Sequence, residues 1–175
     1  MFLINKKPGP TSHDIVDEVR KITGVKKVGH AGTLDPFAEG LLIILVGRPE
    51  TKRQSEFMGL DKVYEATLTL GAETDTFDKT GEFQISNFKF QNNEKIPISK
   101  INDVLKKFEG KQEQMPPIFS AKKVRGKKAY ELARKGEIPK LKSKEINIEY
   151  IKLIEYSWPE LKIETKVSSG TYIRA

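Results

Sequence analysis

Cysteine is absent from this 175-residue sequence. That absence excludes disulfides, thiolate nucleophiles and cysteine-ligated zinc or iron–sulfur centres. Histidine is nearly as scarce: His13 and His30 are the only two, so a structural transition-metal site is not expected. Long apolar runs are missing too. The run Leu41-Leu42-Ile43-Ile44-Leu45-Val46 is far short of the roughly 18 residues a membrane-spanning helix needs. The N-terminal stretch Met1-Phe2-Leu3-Ile4-Asn5-Lys6 is too short for a signal peptide and reads as a first strand. No internal repeat, heptad array or low-complexity tract is present. The composition, 37% hydrophobic and 31% charged, is that of a globular protein with a wet surface, and the cytoplasm is the default compartment.

A chain of this length suggests one domain, or two small ones, with enough residues to bury a core. Its net charge of +7 is unevenly placed. Between Lys106 and Lys144 there are thirteen Lys or Arg against four Glu, a local +9, which leaves −2 for the rest. Such a block is either a solvated face or a phosphate-tracking surface. Interleaving with Phe119, Tyr130 and prolines favours the second and points to a polyanion, without separating RNA from DNA.

Hydrophobic spacing places the elements. A first helix is capped by Thr11 or Ser12, buries Ile15, Val16, Val19 and Ile22, and stops at Gly24, with His13 capping or facing solvent in its first turn. Leu41 to Val46 reads as a fully buried strand, and Thr51 to Met58 as a short helix. From Lys62 to Leu70, Tyr64, Ala66, Leu68 and Leu70 alternate with polar residues, the pattern of a half-buried strand. Residues 74–81 form its turn, and 86–98 read as a loop and subdomain linker. Ser99 is expected to cap a helix with the stripe Ile101, Val104, Leu105 and Phe108, ended by Gly110. A further helix covers about Lys127 to Lys135, ended by Gly136. Strands over Glu145–Glu155 and Leu161–Val167 follow, and Arg174-Ala175 opens a helix. Paired strands without strict βα alternation predict an α+β fold with a mixed, largely antiparallel sheet.

One stretch concentrates chemistry: Gly29-His30-Ala31-Gly32-Thr33-Leu34-Asp35-Pro36-Phe37-Ala38-Glu39-Gly40-Leu41-Leu42. Glycines and a proline impose an irregular backbone that holds Asp35 against the strand that follows. Asp35 is either a helix cap with Pro36 at the first helical position or a carboxylate set on a rigid turn for nucleophilic or base chemistry.

This string resembles the active-site motif of the bacterial tRNA pseudouridine-55 synthase (TruB) family, Gly-His-x-Gly-x-Leu-Asp-Pro-x-Ala-x-Gly-x-Leu, at every specified position. Three more blocks agree in order: Lys62-Val63-Tyr64 entering a strand; Pro116-Pro117-Ile118-Phe119-Ser120-Ala121-Lys122-Lys123 with Gly126-Lys127-Lys128-Ala129-Tyr130-Glu131, similar to the family's thumb; and Gly170-Thr171-Tyr172-Ile173-Arg174. One departure is Lys6-Lys7-Pro8-Gly9, where the family usually has Lys-Pro before a glycine turn, read here as local loop variation. The resemblance implies the pseudouridine synthase fold, with flanking helices and a catalytic cleft in the sheet. It implies residues 1–175 as an incomplete catalytic domain with a thumb-like basic segment at about 111–144 and without the family's C-terminal RNA-binding (PUA) domain.

The implied reaction isomerises uridine 55 in the T-loop of tRNA. It breaks N1–C1′, turns the uracil and rejoins it through C5, with no cofactor. By resemblance, Asp35 is the catalytic aspartate and Arg174 its ion-pair partner. His30 fills the space left by the flipped nucleotide, Tyr64 stacks on the target base, Tyr172 contacts substrate, and Asp78 is associated with displaced nucleotides. Lys122, Lys123, Lys127 and Lys128 would meet the RNA backbone. Against these stand plainer roles: a core aromatic at Tyr64 or Tyr172, a structural hydrogen bond at His30, a surface residue at Arg174. The implied partner is the tRNA T-arm, with no membrane and no obligate protein partner. The competing readings are a noncatalytic RNA-binding or tRNA-folding module and, disfavoured by the stand-alone look of the thumb, a guide-directed rRNA pseudouridine synthase.

Overall fold

Two reciprocal hydrogen bonds start the first helix. The Thr11 hydroxyl accepts the Asp14 N–H at 3.1 Å, and the Asp14 carboxylate accepts the Thr11 N–H at 2.7 Å, a capping box. The computed structural model describes residues 1–84, 96–124 and 126–175. They fall into two units, Met1–Leu60 and Asp61–Ala175.

In the first unit, strand β1 (Phe2–Lys6) leads to helix α1 (Ser12–Thr23), closed by Gly24 in the left-handed conformation. Strands β2 (Val28–His30) and β3 (Gly40–Val46) follow. The sheet order is β1-β3-β2, antiparallel throughout, with Ile4 opposite Leu42 and His30 opposite Ile44. Val16 and Val19 of α1 pack on Val28, Leu42 and Ile44, with Ile4, Ile15 and Leu34 at the margin. Two expectations are corrected here. Ile22 is 76% exposed, because it lies on the outer side of the last helical turn. Strand β3 is not fully buried: Leu42, Ile44 and Leu45 are, but Leu41 is 64% exposed. Two helices, α2 (Arg48–Lys52) and α3 (Gln54–Met58), replace the single expected one. The break comes where the Arg53 N–H closes onto Glu50 O, three residues back.

The second unit is built on an antiparallel sheet of order β4-β11-β10-β7. Its strands are β4 (Lys62–Thr69), β7 (Gly110–Gln114), β10 (Lys144–Ser157) and β11 (Glu160–Val167). Between β4 and β7 lie the short pair β5 (Glu73–Thr74) and β6 (Phe83–Gln84) and helix α4 (Ile98–Lys107). Helix α4 is capped by Pro97 and not Ser99, since the Ile101 N–H already bonds Pro97 O at 3.1 Å. Only Ile101 of its stripe is fully buried, against Leu161 and Ile163, while Val104 and Phe108 are exposed. A second cluster joins Ile146, Ile148 and Val167 with Tyr64 and Ile173 at its edge.

The expected helix over Lys127–Lys135 is shorter. A hairpin of β8 (Lys123–Val124) and β9 (Lys127–Lys128) takes its first turn, and helix α5 covers Ala129–Ala133. The hairpin is held because the Ala129 N–H bonds Lys122 O at 2.8 Å and the Tyr130 N–H bonds Ser120 O at 3.1 Å. The expected linker at 86–98 lies outside the described residues up to 95, and its last residue already belongs to α4. Near Arg174 the chain makes a turn, with the Ala175 N–H on Tyr172 O at 3.3 Å, in place of the expected first helical residues. The α+β class and antiparallel pairing agree with the sequence reading.

Candidate active site

Asp35 sits in a loop whose backbone is gripped on both sides. Before it, the Ser12 hydroxyl accepts the Leu34 N–H at 3.0 Å and lies 3.2 Å from Leu34 O as donor. After it, Pro36 O accepts the Gly9 N–H at 2.8 Å, and a tight turn joins the Ala38 N–H to Asp35 O at 3.0 Å. Gly32 and Gly40 take φ of 114° and 123°, conformations that side chains rarely adopt. No helix follows Asp35, so the capping alternative is removed and the rigid turn stands.

Lys6 holds the far side of this loop, and the sequence reading missed it. Its residue exposure is 0%. Its ammonium donates to Ala38 O at 2.7 Å, Lys7 O at 3.1 Å and Pro36 O at 3.2 Å. Burial lowers its pKa, while the charge of Asp35 opposes that shift. The signal available in sequence was a lysine at the inward end of an apolar strand. Lys6→Met is expected to cost about 2 kcal/mol, since carbonyls lose a buried donor. A urea midpoint equal to wild type would remove Lys6 from this role.

His30 ends β2. Its Nδ1 lies 2.7 Å from Gly32 O. A carbonyl only accepts, so Nδ1 carries the proton and Nε2 is the ring's other face. The carbonyl of His30 accepts from the Gln54 amide at 2.6 Å. The structural hydrogen bond weighed for His30 is therefore present.

In the second unit the structure brings Arg174 and Asp78 together. The Arg174 guanidinium forks onto two carbonyls, Thr76 O at 2.7 Å through Nη1 and Phe119 O through Nη2. Asp78 Oδ1 accepts from the Thr80 N–H at 2.8 Å, the Thr76 hydroxyl at 2.9 Å and the Thr80 hydroxyl. Phe77, between these residues, has φ 58°, strain of about 1 kcal/mol or more that the surrounding bonds must offset. Burial works to raise the Asp78 carboxyl, but the Thr80 and Thr76 hydrogen bonds and the Arg174 charge outweigh it and hold it below the usual range.

A carboxyl depressed on folding contributes stability that is present above its unfolded pKa, near 3.9, and lost as pH falls through its folded value. Asp78→Asn is therefore expected to be less stable than wild type at neutral pH, with the gap closing below about pH 4. A gap that stays constant in acid denaturation curves would contradict this.

Tyr64 is half-buried at the edge of the Ile146–Ile148–Val167 cluster, opposite Thr165. It thus has the packing of a core aromatic along one side. Tyr172 lines a cavity of about 320 Å³ together with Gln114, Lys122, Lys144 and Gly170. Lys122 is half-buried and donates to Lys142 O at 3.1 Å, unlike the exposed Lys123, Lys127 and Lys128. Lys128 and Arg134 both lie over the Tyr130 ring, 5.4 Å from its centroid. Among the described residues no group of three or more His, Asp or Glu could hold a metal ion. None of their helices is long and apolar enough to cross a membrane.

Residues 20–173 match the family described as TruB family pseudouridylate synthase (N terminal domain). The chain is 47% identical over 174 residues to tRNA pseudouridine synthase B of Caldanaerobacter subterraneus subsp. tengcongensis, covering 97% of this chain and 58% of that protein. It is 44% identical over 175 residues to the protein of the same name from Protochlamydia amoebophila, covering 100% and 64%. The chain thus spans about three fifths of these relatives' length. Among solved structures, a chain of a Cbf5-Nop10-Gar1 complex superposes with a TM-score of 0.66 at 28% identity, over 98% of this chain and 40% of that one. A chain of an H/ACA RNP bound to a substrate RNA containing 2'-deoxyuridine gives 0.63 at 26% identity, over 98% and 39%. The chain belongs to the TruB pseudouridylate synthase family.

Proposed function

We propose that this chain carries the catalytic part of an enzyme that isomerises uridine 55 in the T-loop of tRNA to pseudouridine. The observation that carries the proposal is the Asp35 loop. Lys6, Gly9 and Ser12 hold the backbone around Asp35, which fixes the point from which its carboxylate projects. Residues 1–175 are read as a catalytic domain, with 111–144 as the thumb that closes over the RNA arm. The tRNA is the partner, no obligate protein partner is inferred, and the cytoplasm is the place of action.

The bond accounting is closed. N1–C1′ breaks, C5–C1′ forms, the C5 proton leaves and N1 gains one. Asp35 is the catalytic carboxylate, acting on the base, on the sugar carbon or on a sugar proton. Arg174 is the catalytic arginine. Tyr64 and Tyr172 contact the extruded base, His30 occupies the gap it leaves, and Asp78 meets the displaced nucleotides. Extrusion costs a few kcal/mol, offset by phosphate contacts along the basic segment. Tritium placed at C5 of the target uridine should appear in water one-for-one with pseudouridine formed. Binding of the tRNA without tritium release would favour the noncatalytic RNA-binding reading.

Neutralising Lys122, Lys123, Lys127 and Lys128 together is expected to weaken tRNA binding and shrink the log–log salt slope by up to about 3–4. Lys123 and Lys127 should leave thermal stability unchanged, and any loss should trace to Lys122 with its bond to Lys142 O and to Lys128 over the Tyr130 ring. Affinity measured at several salt concentrations checks this. An unchanged slope would make the cluster an ordinary solvated face.

A further inference from the structure

The segment that carries Tyr172 and Arg174 is held by a side chain that none of the active-site motifs includes. Gln114, the last residue of β7, points its amide at the backbone of Tyr172. Its Oε1 accepts the Tyr172 N–H at 2.9 Å, and its Nε2 donates to Tyr172 O at 2.8 Å and to Ala175 O at 2.9 Å. A side-chain amide here does what a neighbouring strand's peptide would do, satisfying donor and acceptor of one residue at once. Five residues further along the same stretch, Phe119 O takes the Arg174 guanidinium. The stretch from Gln114 to Phe119 therefore grips this segment twice, by its backbone at Tyr172 and by its charged head at Arg174.

A second bond reaches this segment from Lys144, the residue paired with Gln114 across β7 and β10. The Lys144 ammonium donates to Ser169 O at 2.6 Å and occupies the space where a side chain on Gly170 would lie, 2.5 Å from an ideal Cβ. Gly170 also has φ 79°. The backbone from 169 to 172 is thus held by Lys144 and Gln114 together, and among the described residues Gln114 bonds both polar groups of Tyr172.

We propose that Gln114 is a positioning residue for the isomerisation: by fixing the Tyr172 backbone it sets the aim of the Arg174 guanidinium. This rests on the functional reading above. Glutamate has the same shape but, when ionised, keeps only the acceptor and sets a negative charge against the Tyr172 and Ala175 carbonyls. When protonated it recovers one donor where the amide has two. Methionine removes both.

The test uses Gln114→Glu and Gln114→Met on an unmodified tRNA transcript. Turnover of both variants at neutral pH is expected to fall about a hundredfold, the scale of a misplaced catalytic group, with tRNA affinity within about twofold. The Gln114→Glu deficit should narrow as pH falls, below the ordinary glutamate range because the Lys144 and Lys122 ammonium groups line the same cavity and favour the ionised form, while the Gln114→Met deficit should not. Hydrogen exchange reads the clamp without turnover: the Tyr172 amide should exchange faster in Gln114→Met, while that of Ile163 in β11 keeps its protection. Wild-type turnover for Gln114→Glu at neutral pH, a deficit with no pH dependence, or an unchanged Tyr172 exchange rate would each overturn the assignment. A wild-type chain that binds tRNA without forming pseudouridine would instead refute the functional reading, and the exchange rates would then show only whether the clamp exists.

Discussion

Replacing Asp35 by asparagine is expected to abolish pseudouridine formation while leaving the fold and tRNA binding nearly intact. Other groups hold the backbone of the loop. Ser12 holds Leu34, Gly9 and Lys6 hold Pro36, and the turn to Ala38 uses the Asp35 carbonyl. Asparagine preserves size and removes the negative charge, so what is lost is the ability to attack or to take a proton. The charge of Asp35 also supports the buried ammonium of Lys6, so a small loss of stability accompanies the change. Turnover should fall by about a thousandfold or more, as for other essential groups. Residual turnover within about tenfold of wild type would remove Asp35 from the catalytic role.

Arg174→Lys tests geometry against charge. A lysine keeps the positive charge but lacks the planar fork that spans Thr76 O and Phe119 O. Those two carbonyls come from the Asp78 turn and from the stretch after β7, so one guanidinium ties both to the segment after β11. With lysine the head group is free to choose one carbonyl, and the charge beside Asp78 shifts. Turnover is expected to drop about a hundredfold or more. A kcat near wild type would mean that only the charge matters. A loss confined to tRNA affinity would place Arg174 in binding.

Much of this was legible in the sequence where local signals agree. Thr11 marks the start of α1 by a side chain that bonds the helix backbone, Gly24 marks its end by a left-handed conformation, and the alternation from Tyr64 marks β4, although Leu68 is exposed. The Asp35 motif was legible as a whole string. What escaped lacks a local signal. Strand β7 reads Gly-Lys-Gln-Glu-Gln, with no apolar residue to alternate, because it is an edge strand held to β10 by the backbone ladder and the Lys111–Glu145 ion pair. The three-residue β2 is too short for a period. Lysine is ordinarily exposed, and Lys6 is buried only because carbonyls about thirty residues away converge on it. Gln114 escaped likewise, since its partners lie near the other end of the chain. Ile22 and Val104 fit their helical stripes but face outward, because a stripe does not tell how wide the covering surface is.

The most direct measurement is the position of modification. An unmodified tRNA transcript incubated with the chain, then mapped residue by residue for pseudouridine, should carry it at uridine 55 of the T-loop and nowhere else, with none formed by Asp35→Asn. Retained tRNA binding with no pseudouridine at any position, or equal modification by Asp35→Asn, would contradict the account.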